Sequence, residues 1–160
     1  MTEVELQGAE QISRSFRSQA GGLFYFVGIF FFNFLCRIVF SPLMPTIEKD
    51  LRLSHGEAGS LFFLMYLGYC IMLLASGFVS SRLRHRGTIL LSSVAVGGAL
   101  LMISISHQLW TMSFWLIALG MAAGLYLPSG IATITELVSP KDWGKAIAIH
   151  ELAPNLGFAI

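Results

Sequence analysis

Between Ser18 and Ile47 the chain carries a single charge, Arg37, set in an otherwise apolar run. A guanidinium in a low-dielectric cavity can hold a carboxylate or a phosphate through two parallel hydrogen bonds. The competing uses are to extend its stem so that the charge reaches the headgroups, or to pair with a carboxylate on another helix. Asn33 and Ser41 lie four residues before and four after it, so a helix here lines Asn33, Arg37 and Ser41 along one side. That polar stripe favours anion binding at Arg37 over a purely structural charge.

Other residues could carry chemistry at helical spacing. His150 and Glu151, with Asn155 four residues beyond the glutamate, could relay protons inside a membrane. They also stand only six and seven residues after Gly144, and hydration at a helix end accounts for them equally simply. Tyr126, Ser129, Thr133 and Glu136 share a face on which Pro128 frees a backbone carbonyl. They suit a cavity wall, although Ser and Thr also satisfy their own helix backbone. Tyr66 and Tyr69 are aromatics for a cavity or for packing. Cys36 and Cys70 sit in apolar runs without metal-ligand spacing and read as packing residues. There is no Gly-rich phosphate loop, no H-E-x-x-H and no Ser/His/Asp set, so neither an enzyme nor a metal or cofactor protein is expected.

The elements that must position these residues are long apolar helices. Of 160 residues 55% are hydrophobic and 12% charged, with a mean hydropathy of +0.72, whereas soluble domains carry about twice that charge fraction. The class is all-α membrane protein with the lipid bilayer as its surroundings, and the net charge of +1 gives no nucleic-acid footprint. Charge-free runs place spans near 21–45, 58–80, 88–106, 110–135 and 145–160 behind a polar tail, 1–20, and the fifth is cut short at Ile160. A bilayer core of about 30 Å takes roughly 20 helical residues. Ser54-x-x-Glu57 is a capping box opening the second span, and Gly68, Ala75, Gly77 and the pair Gly120-x-x-x-Gly124 offer close helix approach. Arg14, Arg17, Arg82, Arg84, Arg86, Lys141 and Lys145 fall on one side and Lys49 and Arg52 on the other. The basic side marks a cytoplasmic N-terminus.

Internal similarity adds a constraint. Phe40-Ser-Pro42 recurs as Tyr126-Leu-Pro128 and Asp50-Leu51 as Glu136-Leu137, both 86 residues on, and Ser54-x-x-Glu57-x-Gly59 recurs as Ser139-x-x-Asp142-x-Gly144, 85 residues on. Three spans per copy invert the second copy in the membrane, the construction found in many secondary transporters.

The turn Gly77-x-x-x-Ser81-Arg82-x-Arg84-His85-Arg86 resembles the G-x-x-x-D-R-x-G-R-K/R segment between spans two and three of the major facilitator superfamily. Gly77, Arg82 and Arg86 conform; Ser81 replaces the aspartate that helps latch the two halves, and Arg84 the second glycine. SPKDWGKA is similar to that family's P-x-x-R-G-K/R-A, with Trp143 in place of arginine, and Leu116 stands where an arginine is common. The resemblance implies part of a major facilitator fold, about five transmembrane helices of an inverted 3+3 repeat. It also implies alternating-access transport of a small solute, with Gly77, Arg82 and Arg86 in a conformational-switch motif. Arg37-x-x-Phe40-x-x-x-Met44-Pro45 resembles the first span of the organophosphate:phosphate antiporters, whose matching arginine binds the substrate phosphate. That implies an organic or phosphorylated anion at Arg37 and carries over to no other residue; Asn33, Ser41, Tyr66 and Tyr126 are substrate-binding candidates, and His150 and Glu151 coupling-proton candidates, by their own spacing and chemistry. The expected location is the plasma membrane, the inner membrane in a Gram-negative bacterium. Further C-terminal helices or a second chain would complete such a site. A non-transporting fragment, or less readily a membrane receptor or enzyme, are the alternatives.

Overall fold

The computed structural model describes residues 16–159. Most of the expected polar tail, Arg14 included, lies outside the described residues. The described residues are almost entirely helical: α1 (Phe16–Ile38), α2 (Phe40–Leu51), α3 (His55–Ser104), α4 (Leu109–Gly124), α5 (Tyr126–Leu137), a 3₁₀ turn (Pro140–Asp142), α6 (Trp143–His150) and α7 (Leu152–Phe158).

Three of the boundaries are bends within a span. They fall at Val39, Leu125 and Glu151, each three residues before a proline, Pro42, Pro128 and Pro154. A proline lacks the N–H that would bond the carbonyl four residues back, and its ring crowds that carbonyl. The residues four back are Ile38, Gly124 and His150, the last residues of α1, α4 and α6. All three bend residues keep right-handed helical angles, so the chain deflects without reversing. α1 with α2, and α4 with α5, are each long and apolar enough to cross a bilayer, as is α3.

The start of α3 follows from its sequence. The Ser54 backbone N–H and hydroxyl both donate to Glu57 Oε2 at 2.8 Å, and the Glu57 N–H returns a bond to Ser54 Oγ at 3.3 Å. The 50 residues of α3 would extend about 75 Å if straight, far beyond one bilayer. The helix is interrupted at Arg84, where φ is 59° and ψ 161°, and its two halves form a pair against α4. The first half runs alongside α4 in the same direction: Met65 and Tyr69 meet Gly120, and Tyr69 and Leu73 meet Gly124. The second half returns, with Ser92 at Ala122 and Ile103 beside Met112 in one cavity wall.

Small residues set these distances. A β-carbon at Gly68 would lie 2.5 Å from the Ile117 carbonyl oxygen, one at Gly124 2.5 Å from that of Tyr69, and one at Gly120 would collide with the Met65 carbonyl. In lipid, where apolar burial does not drive association, such backbone approach is what holds helices together. Gly77 departs from expectation: a β-carbon there meets nothing within 4 Å, because Gly77 lies on an exposed face of the helix, although its neighbour Ser76 is buried.

The inverted repeat is visible in the architecture. Leu125 follows Val39 by 86 residues, the offset of the sequence repeat. α1 packs on α7, with Phe34 and Leu35 against Gly157, as α4 packs on the first half of α3. Apolar side chains face outward, among them Phe24, Phe32, Leu74, Phe78, Leu101, Trp110 and Phe114, while Asn33, Arg37, Thr88, Ser92, Ser129 and His150 are buried. Polar interior and apolar exterior are the arrangement a bilayer demands. This is a partial major facilitator fold of the all-α membrane class.

Candidate functional site

Arg37 sits one residue before the last residue of α1 and is only 7% exposed. Its guanidinium carbon lies 4.5 Å from the Tyr69 ring centre and 5.4 Å from that of Phe34. The negative faces of those rings offset part of the charge, by about 2 kcal/mol when desolvated. Its Nε, buried, has no hydrogen-bond partner among the described residues. One turn back, Asn33 is 5% exposed. Its amide donates to Ser92 Oγ at 3.3 Å, and Ser92 donates to the Ala122 carbonyl at 2.7 Å. This chain ties α1, the second half of α3 and α4 together, and leaves Asn33 Oδ1 without a partner. Asn33 and Arg37, one turn apart, thus present an unsatisfied acceptor and an unsatisfied donor on the same face of α1, and Gln19 Oε1 near the start of that helix is a further buried acceptor without a partner.

Ser41 does not join them. It is exposed beyond the Val39 bend and lines a cavity of about 640 Å³ with Leu35, Cys36, Pro42, Gly157 and Phe158. Tyr66 is 52% exposed, and of the two span-two tyrosines it is Tyr69 that reaches Arg37. Phe34 could have been read from its i, i+3 spacing to Arg37. Ser92 had no sequence signal beyond being a hydroxyl in an apolar run.

Tyr126, the first residue after the Leu125 bend, is fully buried and meets His150, also fully buried, at the Glu151 bend. The Tyr126 hydroxyl donates to the Phe26 carbonyl of α1 at 2.8 Å and lies 3.2 Å from His150 Nε2. His150 Nδ1 is 3.1 Å from Glu151 Oε1. The Phe30 ring stacks on the imidazole, 4.3 Å between centres with planes 3° apart, and on the Tyr126 ring at 5.3 Å. Spans one, four and five thus meet at one buried polar cluster. Asn155, in contrast, is spent on its own helix, donating to the Glu151 carbonyl.

Residues 26–160 match the family model described as Major Facilitator Superfamily. The chain belongs to that superfamily. It is 26% identical over 119 residues to the multidrug transporter DTR1 of Candida glabrata, an alignment covering 74% of this chain and 22% of that protein. The chain thus spans less than a quarter of the length of this curated relative.

The superfamily's turn between spans two and three takes an unusual form here. Arg84, at the place of the second motif glycine, holds φ 59° and ψ 161°, a region that is essentially glycine-only. Arg82 lies over the Phe78 ring at 5.4 Å, and the Ser81 hydroxyl caps back onto the Phe78 carbonyl at 2.7 Å. His85 Nδ1 stands 3.5 Å from Ser129 Oγ on α5, so Ser129 faces this turn while Thr133 bonds its own helix at the Ser129 carbonyl. Arg86 and Glu136 share a cavity of about 750 Å³ with Tyr25, Phe26 and Thr133. In the loop after span four, Trp143 Nε1 donates to the carbonyls of Thr135 and Val138 at 3.0 and 3.1 Å, which closes the end of α5.

Proposed function

We propose that this chain forms the N-terminal part of a secondary transporter that moves a small organic or phosphorylated anion by alternating access, with Arg37 as its anion-binding residue. The observation that carries the reading is the buried guanidinium with an unpartnered Nε, one helical turn from an unpartnered Asn33 Oδ1. A phosphate monoester or a hydroxycarboxylate offers an acceptor to the first and a donor to the second. Buried polar groups without partners cost roughly 1–3 kcal/mol each, so a ligand that satisfies them gains that much. Access to Arg37 would come from rocking of this bundle against further helices, whether later in the same polypeptide or in a second chain.

The basic residues of the arginine turn and of the loop after span four support a cytoplasmic N-terminus, and we assign the bundle to the plasma membrane. His150 and Glu151 are the groups to which we assign the coupling proton.

Uptake of phosphate esters and carboxylates into proteoliposomes holding the complete transporter tests the reading. Arg37→Ala and Arg37→Lys should abolish uptake while leaving insertion and thermal stability near wild type. Unchanged uptake in Arg37→Ala overturns it. A second reading, in which the solute is an amphipathic organic compound, is favoured by the two aromatic rings that already cover the guanidinium. It predicts drug flux that survives Arg37→Lys and falls with Tyr69→Ala.

A further inference from the structure

The polar cluster where spans one, four and five meet has a proton count that can be worked out from its contacts. The Phe26 carbonyl can only accept, and Tyr126 has one proton to give. If the hydroxyl donates to Phe26, as its 2.8 Å distance requires, then the 3.2 Å contact with the imidazole is made by an Nε2–H donating to the phenol oxygen. The remaining contact, Nδ1 to Glu151 Oε1 at 3.1 Å, then needs a further proton. With a bare Nδ1 and an ionised carboxylate, two lone pairs would face each other. Either an imidazolium faces a carboxylate or a neutral imidazole faces a carboxylic acid, and in both cases Nε2 keeps its hydrogen.

Taking that one proton away changes who donates to whom. The neutral imidazole now places its single hydrogen on Nδ1, toward the Glu151 carboxylate, and Nε2 becomes an acceptor. Tyr126 is the donor beside it and turns its hydroxyl from Phe26 to Nε2. We infer that the His150–Glu151 pair is a one-proton binding site and that the Tyr126 hydroxyl transmits its occupancy to span one, bonding the Phe26 carbonyl only when the proton is present. The inference deepens, and rests on, the assignment of the coupling proton to this pair.

The surroundings isolate the switch. The imidazole is fully buried, pinned by the parallel Phe30 ring, so it exchanges hydrogens without turning over. Glu151 is 46% exposed and is the end through which the proton enters. The titratable groups facing the imidazole are Tyr126 from α5 and Glu151 at the α6–α7 bend. From α1 it meets the Phe30 ring and, through Tyr126, the Phe26 carbonyl, with Arg37 two turns farther along. α7 contributes no ionisable side chain among the described residues. No hydrogen bond or ion pair joins Lys145, on α6, to this cluster; it pairs with Asp142.

Nitrogen-15 NMR of histidine-labelled full-length chain in lipid nanodiscs tests this directly, with His150→Gln identifying the His150 signals. The expected result is that Nε2 carries a hydrogen at low pH and loses it at high pH while Nδ1 gains or keeps one. Tyr126→Phe removes two hydrogen bonds from the proton-loaded state and one from the empty state. It should therefore move the transition to lower pH. A His150 that keeps its Nε2 hydrogen at every pH, or a transition unmoved by Tyr126→Phe, overturns the inference. A tautomer change in a protein whose flux ignores pH upholds the switch and removes only its coupling role. Flux that follows pH while the His150 tautomer stays fixed overturns the switch and leaves coupling to another group.

Discussion

Gly120 has no β-carbon, and the place where one would stand is taken by the carbonyl oxygen of Met65. Span four and the first half of α3 therefore touch backbone to backbone. Gly120→Ala should lower the thermal stability of the detergent-solubilised protein by about 1–3 kcal/mol, the usual cost of overpacking, and Gly120→Leu should prevent folding. Gly77→Ala and Gly98→Ala, where an added β-carbon meets nothing within 4 Å, should be neutral or stabilising by up to about 1 kcal/mol, since alanine is the better helix former. Equal losses at all three positions would show that backbone approach is not what holds these spans.

Arg84 occupies backbone angles suited to glycine. Arg84→Gly should raise stability by about 1–3 kcal/mol, the strain it relieves, read as a higher unfolding temperature in nanodiscs. Arg84→Ala, which removes the charge and keeps the β-carbon, should leave the strain in place, and a gain equal to that of Arg84→Gly would assign the effect to charge.

Trp143 closes α5 by donating to the Thr135 carbonyl in its last turn and to that of Val138 just beyond it. Trp143→Phe keeps the ring and loses the donor, with an expected loss of about 1 kcal/mol and faster hydrogen exchange at the end of α5. Trp143→Arg restores a donor where the superfamily motif has one and should recover part of the loss.

Glu57 receives the Ser54 backbone N–H and hydroxyl, which hold its carboxyl below the usual carboxylate range. A depressed folded-state pKa means that the cap stabilises α3 at any pH above the carboxylate's ordinary value and is lost as the pH falls through the depressed one. Amide exchange in the first turn of α3 should therefore quicken on acidification through that window, after the intrinsic rate is allowed for. Glu57→Gln should flatten that dependence, and an unchanged profile in the variant would place the titrating group elsewhere.

The fold was largely readable because a bilayer imposes length and charge limits that soluble cores do not. The charge-free runs, the Ser54–Glu57 cap and the 86-residue repeat each correspond to features of the helices. The bends were readable in part. Pro128 signals a freed carbonyl in span four, while Pro42 and Pro154 act identically inside apolar runs where nothing else in the sequence marks a bend. The grouping of side chains was less accessible. The spacing that joins Ser41 to Arg37 assumes an unbroken helix, and the Pro42 bend removes that assumption. Nor does periodicity along α5 and α6 fix which faces turn toward α1, so the meeting of Tyr126 with His150 depends on packing that only the assembled bundle supplies.

The bends at Val39 and Leu125 occupy matching places in oppositely directed spans. The two bends therefore stand at equivalent points of the repeat, in spans that run against each other. The 86-residue repeat thus gives the bundle the same interruption of its backbone ladder twice, so that two spans of opposite direction can flex by one and the same local device.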